Sequence, residues 1–160
     1  MAVTVAIETP LQDDVRGLVD LLNEHLLPLS PLEFQFKMTV EQMADADTTV
    51  FVARTENGQA VGIGALKVHT DGLGEVKRMF TDPSVRGQRI GSALLEAIVG
   101  LARNKALTVL MLETGTGDGF AGAHRLYSRS GFSPRGPFLD YPDSEWSAFF
   151  EMPLTQEQAA

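Results

Sequence analysis

The sequence contains no cysteine. That absence removes disulfides, thiolate-ligated metals and a cysteine acyl-enzyme from the chemistry open to the chain. No apolar run approaches the roughly 20 residues that a membrane helix needs. The first ten residues, MAVTVAIETP, lack the basic start and long apolar stretch of a secretory signal, so a soluble cytoplasmic protein is expected. The phosphate loop G-x-x-x-x-G-K-[ST] is missing, and no G-x-S-x-G elbow marks a serine nucleophile. The three histidines, His25, His69 and His124, are scattered without metal-ligand spacing. They read as surface or substrate-pocket residues. No internal repeat or low-complexity tract interrupts the chain.

What is present suits one α/β domain. The 160 residues are 44% hydrophobic and 21% charged, enough to bury a sizeable core. The expected domain spans 1–154, with 155–160 as a frayed tail. The net charge of −8 is unevenly spread: residues 1–60 carry three basic and ten acidic side chains. In residues 77–105 the sign reverses, six basic side chains facing only Asp82 and Glu96. An acidic protein with one basic segment is a poor nucleic-acid partner, because duplex affinity requires phosphate neutralisation over a wide surface. It suits one small anion at one place.

Periodicity gives the order β-α-α-β-β-β-α-β-α-β, a mixed, mostly antiparallel sheet flanked by helices. Val3–Glu8 alternates as a strand. Thr9-Pro10-Leu11-Gln12 then has the form of a capping box opening a helix, whose stripe is Val15, Leu18, Val19, Leu22 and Leu26. A second box, Thr39 to Gln42, opens a short helix to about Ala46. Thr48–Arg54 and Ala60–Thr70 flank the hairpin signal Asn57-Gly58, and Asp71-Gly72 turns into a strand at Glu75–Thr81. A long helix is expected over Ile90–Asn104, burying Leu94, Leu95, Ile98, Val99 and Leu101. The strand Thr108–Glu113, the helix Phe120–Ser130 and the strand Ser147–Leu154 complete the chain. Lys77 and Arg78, neighbours on one strand, should point to opposite faces, and neither is assigned a role. Trp146, Phe149 and Phe150 read as core or dimer contacts.

The segment Arg86-Gly87-Gln88-Arg89-Ile90-Gly91-Ser92 precedes or opens the long helix, where backbone N–H groups and the helix dipole favour an anion. By spacing alone an ordinary helix start with a solvated basic face is as good a reading. The wider stretch from Glu75 to Leu95 resembles the acetyl-CoA motif of the GNAT superfamily of N-acetyltransferases. Leu112-Glu113-Thr114-Gly115 and Ala123–Phe132, with Leu126-Tyr127 ahead of Gly131-Phe132, resemble that family's next strand and helix. In the family pattern Q/R-x-x-G-x-G/A, Arg86 and Gly91 match while Arg89 replaces the first glycine. An arginine is tolerable there with its backbone in the right-handed helical region. Phe120 stands where many relatives carry a cofactor-contacting asparagine, so it receives no cofactor role.

The resemblance implies an acetyl-CoA-dependent transferase that acylates a primary amine by direct attack in a ternary complex. Backbone N–H groups from Arg86 to Ser92 (Arg86, Gly87, Gln88, Arg89, Ile90, Gly91, Ser92) would hold the pyrophosphate. Met79, Phe80 and Thr81 would pair with the pantetheine arm, and an N–H near Met79 or Phe80 would receive the acetyl oxygen. A lysine-like amine with pKa near 10.4 is almost wholly protonated at neutral pH, so a base is useful. Glu113 and Glu75 are the candidates, and Tyr127 is the candidate acid for the departing thiolate. Asp13, Asp14, Asp20 and Glu24, with the Pro28–Pro31 loop, would edge the acceptor cleft in this fold, the acidic residues favouring a cationic amine. The acceptor is a small-molecule or peptide amine, with no nucleic acid, membrane or metal, and a homodimer follows from the family. A non-catalytic acyl-CoA-binding sensor and a transferase of longer acyl chains stay open.

Overall fold

The computed structural model describes residues 2–85 and 87–154. Arg86 and the tail 155–160, expected to bind phosphate and to fray respectively, lie outside the described residues. The described elements are the strands β1 Val3–Ile7, β2 Thr48–Thr55, β3 Ala60–Val68, β4 Leu73–Thr81, β5 Val109–Gly115, β6 Ser133–Arg135 and β7 Ser147–Pro153. The helices are α1 Asp13–Leu26, α2 Val40–Met43, α3 Ile90–Asn104 and α4 Ala121–Arg129. One sheet runs β1-β2-β3-β4-β5-β7-β6, antiparallel except where β4 meets β5. The α/β class and mixed sheet match the expectation. The three-residue β6, with Pro134 at its centre, has too little pattern to be seen in the sequence.

Two apolar layers cover the sheet. Val15, Leu18, Val19 and Leu22 of α1 lie with Met43 against Val50, Val52, Ile63, Ala65 and Phe80. On the other face Leu94, Leu95 and Ile98 of α3 are fully buried against Phe51, Leu66, Val76 and Leu110. Each such aliphatic side chain contributes about 1.5–3 kcal/mol of burial. Val99 and Leu101 are only partly buried, Ala102 taking the inward place at that turn.

The turns follow local chemistry. Asp71 and Gly72 both have positive φ (60° and 78°), the pair of left-handed residues a two-residue hairpin requires. The Thr39–Gln42 capping box forms in both directions, at 3.1 and 2.9 Å, but its helix stops at Met43. The first box does not form. Thr9 Oγ1 accepts from Leu11 N–H at 3.2 Å, and the Gln12 amide donates to Glu8 and to the Thr9 carbonyl. The helix therefore begins three residues later, at Asp13. No helix among the described residues is long and apolar enough to cross a membrane.

Candidate active site

β4 and β5 run parallel only from Leu73↔Val109 to Glu75↔Met111. Beyond that pair they part, and a cavity of about 1010 Å³ fills the wedge. Met79, Phe80 and Thr81 line it, as do all three expected catalytic residues, Glu75, Glu113 and Tyr127. At one end lie Gly87, Arg89, Ile90, Gly91 and Ser92; at the other lie Leu22, His25, Leu26 and the loop Phe34–Lys37. Gln88 is exposed and is not part of the lining. Asp13, Asp14, Asp20 and Glu24 also lie off the cavity, so the expected acidic rim is not there. Asp14 instead accepts from Arg54 Nη1 at 2.7 Å, beside Glu8.

Where the strands part, two carboxylates are held differently. Glu75 is almost wholly buried, with 3% exposure, and both its oxygens are engaged. His69 Nε2 lies 2.9 Å from Oε1, while Oε2 accepts from the Tyr141 hydroxyl and from Lys77 Nζ at 3.3 Å. Lys77 also donates to the Tyr141 oxygen at 2.9 Å. Glu113 accepts from Ser147 Oγ at 2.7 Å, which leaves its second oxygen without a hydrogen bond among the described residues. Burial raises its carboxyl to about 6, with the Ser147 bond and the Lys77 charge opposing and the Glu75 charge adding. Tyr127 packs edge-on to Phe132 and against Phe150. Burial, then the Glu113 charge, push its phenol well above the usual range, so it stays protonated at neutral pH.

At the other end, Gly87 has φ +84° with nothing near a would-be Cβ, and α3 starts without a side-chain cap. The first-turn N–H groups of α3 are therefore not capped by the Arg89 side chain at the end that meets the cavity. Arg89 is the N-cap at φ 61°, ψ 23°, in the left-handed region, so the helical backbone that would make arginine tolerable there is not the one it adopts. The left-handed conformation is one that glycine adopts without cost, which explains why the pattern prefers glycine there. Arg125 and Arg129 line the same end, and Arg129 reaches Ser92 Oγ at 3.4 Å. Phe120 lies over Gly115, where a Cβ would come within 2.2 Å of the ring.

β4 carries a bulge that its sequence does not announce. Ile63 pairs with Phe80 but Ala65 pairs with Lys77, so Arg78 and Met79 together face Gly64. Arg78 has φ 57°. The bulge breaks the alternation, and Lys77 and Arg78 lie on the same, α1-covered face instead of opposite ones. Both line the cavity, and Arg78 donates from Nη2 to Asn23 Oδ1 of α1. Met79 turns to the other layer, where only the missing side chain of Gly64 makes room for its sulfur. Tyr141 and Ser147 are the other site members that the sequence did not mark, and His69, read as a surface or substrate-pocket residue, is held on Glu75. His25 lines the cavity beside Phe80, whereas His124 fastens α4 to the end of β5 through Gly115 O at 2.8 Å. Among the described residues no cluster of metal-ligating side chains occurs. Phe149 and Phe150 are core residues.

This arrangement has close counterparts. The model of the acetyltransferase (GNAT) domain matches residues 46–134, which hold the wedge, both glutamates and Tyr127. An IAA acetyltransferase of Azospirillum brasilense is 43% identical over 153 residues, covering 95% of this chain and 98% of its own. A Klebsiella pneumoniae structure described as an acyl-CoA N-acyltransferase superposes with TM-score 0.78 at 31% identity, covering 96% and 98% of the two chains. The PaiA N-acetyltransferase of Thermoplasma acidophilum, solved in complex with coenzyme A, shares the fold at TM-score 0.74 and 14% identity, over 96% and 99%. Sequence, sheet order and relatives agree, and the chain belongs to the GNAT family of acetyltransferases.

Proposed function

We propose that the protein moves the acetyl group of acetyl-CoA to a primary amine by direct attack in a ternary complex. One observation carries the reading: a single cavity joins an uncapped helix start, ringed by Arg89, Arg125 and Arg129, to Glu113 and Tyr127 where β4 and β5 part. The helix end and the three guanidiniums suit the phosphates of the cosubstrate. Met79, Phe80 and Thr81 would take the pantetheine arm along β4.

Glu113 is the base. Its carboxyl, raised to about 6, is ionised at neutral pH yet close enough to it to accept a proton effectively, and one oxygen is available. Glu75, saturated by His69, Lys77 and Tyr141, positions the wedge and offers a proton path toward His69, which is 20% exposed. Attack of the neutral amine on the thioester carbonyl forms the C–N bond. Collapse of the tetrahedral intermediate breaks C–S, and the protonated Tyr127 hydroxyl supplies the thiolate's proton. A cytoplasmic homodimer, with residues 1–154 as its one domain, belongs to the same proposal.

Calorimetric titration with acetyl-CoA, run beside Gly91→Trp, tests the cofactor end. A Cβ at Gly91 already comes within 3.2 Å of Leu126, so an indole obstructs the loop. Micromolar binding lost in the variant, followed by thiol release with an amine panel, is the expected result. Absence of binding to folded wild type would overturn the reading. Binding without turnover by any amine would indicate a sensor instead.

A further inference from the structure

Among the described residues, two buried side-chain polar atoms lack a partner, Arg78 Nε and Gln35 Oε1, and both residues line the acceptor end of the cavity. Arg78 is the more informative. Its Nη2 donates to a neutral amide oxygen, Asn23 Oδ1, and among the described residues no carboxylate lies within ion-pair distance. Four other cations are ion-paired. Arg54 is paired with Glu8 and Asp14, Lys77 with Glu75, Arg135 with Glu151 and Arg16 with Glu41. Arg78 is half-buried with its Nε wholly buried, and it has no counter-charge among the described residues. Desolvation lowers its guanidinium to about 10, so it still carries its charge at neutral pH. A buried charge is costly until an anion completes it.

The surroundings specify the anion. Lys37 and His25 line the same cavity, while Leu22, Leu26, Phe34 and Phe36 provide an apolar wall. Gln35 Nε2 donates to the carbonyls of Leu26, Leu27 and Ser30, which fixes the loop, while its buried Oε1 has no partner among the described residues. We infer that the acceptor amine also carries a carboxylate, which Arg78 binds as counter-ion, so that the substrate is an amino acid or a similar small amphoteric amine with an apolar body. This rests on the acetyltransferase reading and replaces the cationic acceptor that the acidity of α1 suggested.

The test uses full-length protein saturated with coenzyme A. Hexanoate, 3-phenylpropionate and benzoate are each titrated against their own amides. The acids should bind at least tenfold more tightly than the amides, and Arg78→Met should abolish the preference while Arg78→Lys restores part of it. In turnover, amino acids should exceed their carboxamides at least a hundredfold in kcat/KM, with acetyl-CoA affinity unchanged in the Arg78 variants. Equal binding of acids and amides by wild type, or no binding of either, overturns the inference, as does equal turnover of acids and amides. Loss of acetyl-CoA binding with the carboxylate preference intact would instead refute the transferase reading alone.

Discussion

Replacing Glu113 by Gln should stabilise the protein while disabling it. Folding moves this carboxyl from its ordinary value of 4.5 to about 6, chiefly by burial. Ionising it in the folded state therefore costs about 2 kcal/mol relative to the unfolded chain. The sign follows from which state holds the proton longer. The folded protein does, so the penalty is absent below about pH 4 and complete above about pH 7. A glutamine oxygen can still accept from Ser147 Oγ, the 2.7 Å bond that Glu113 makes, and glutamine carries no titrating charge. Urea unfolding at pH 8 should show the variant more stable by about 2 kcal/mol, or roughly 4–8 °C in Tm for a chain of this size. At pH 4 the two proteins should coincide. In acetyl transfer, wild type should show an acid limb near pH 6, and the variant should lose that limb along with about a hundredfold in kcat. A stability gap that is the same at pH 4 and pH 8 would refute the burial argument. An acid limb that survives in the variant would refute the assignment of the base.

Tyr127→Phe should lower kcat about ten- to a hundredfold with acetyl-CoA affinity unchanged; an unaltered kcat in steady-state thiol release would remove the acid role. Arg89→Gly relieves a left-handed backbone at φ 61° and should raise stability by about 1 kcal/mol in urea titration. It should also weaken coenzyme A binding several-fold, most visibly at low salt. Arg54→Met should cost about 1 kcal/mol at pH 7 by removing the partner of Glu8. The Arg54 hydrogen bond holds the Glu8 carboxyl below its ordinary value, so this stabilisation exists above about pH 4 and is lost as pH falls through the lowered folded value. Denaturation curves of the two proteins should therefore converge toward pH 2.

Long regular elements were the legible ones. α3 begins and ends where its apolar spacing indicated, over Ile90–Asn104, and the Asn57-Gly58 and Asp71-Gly72 turns announced the meander. The pattern around Arg86–Ser92 and Leu126-Tyr127 pointed to the family that the relatives support. The start of α1 was misread because Gln12 joined Glu8, Thr9 and Arg54 rather than closing a cap. Local spacing cannot reveal that competition. Tyr141 was invisible for another reason: it lies outside any periodic element, and only tertiary packing against Phe36, Phe138 and Phe149 places it beside Glu75. The bulge escaped because Glu75-Val76-Lys77-Arg78-Met79-Phe80 reads as unbroken strand, with no glycine at the residue that becomes left-handed.

That bulge makes Arg78 a supernumerary residue. Omit it, and β4 alternates without a fault: Glu75 and Lys77 toward the α1 side, Val76 and Met79 toward α3, Phe80 back again. Neither apolar layer uses the Arg78 side chain, and no ladder pairing depends on it. On the carboxylate role proposed for Arg78, position 78 is a socket in which the preference for an acceptor can be exchanged while the scaffold stays as it is. Saturation of this one codon, rather than of the cavity wall at large, is the economical library for changing what the enzyme acetylates.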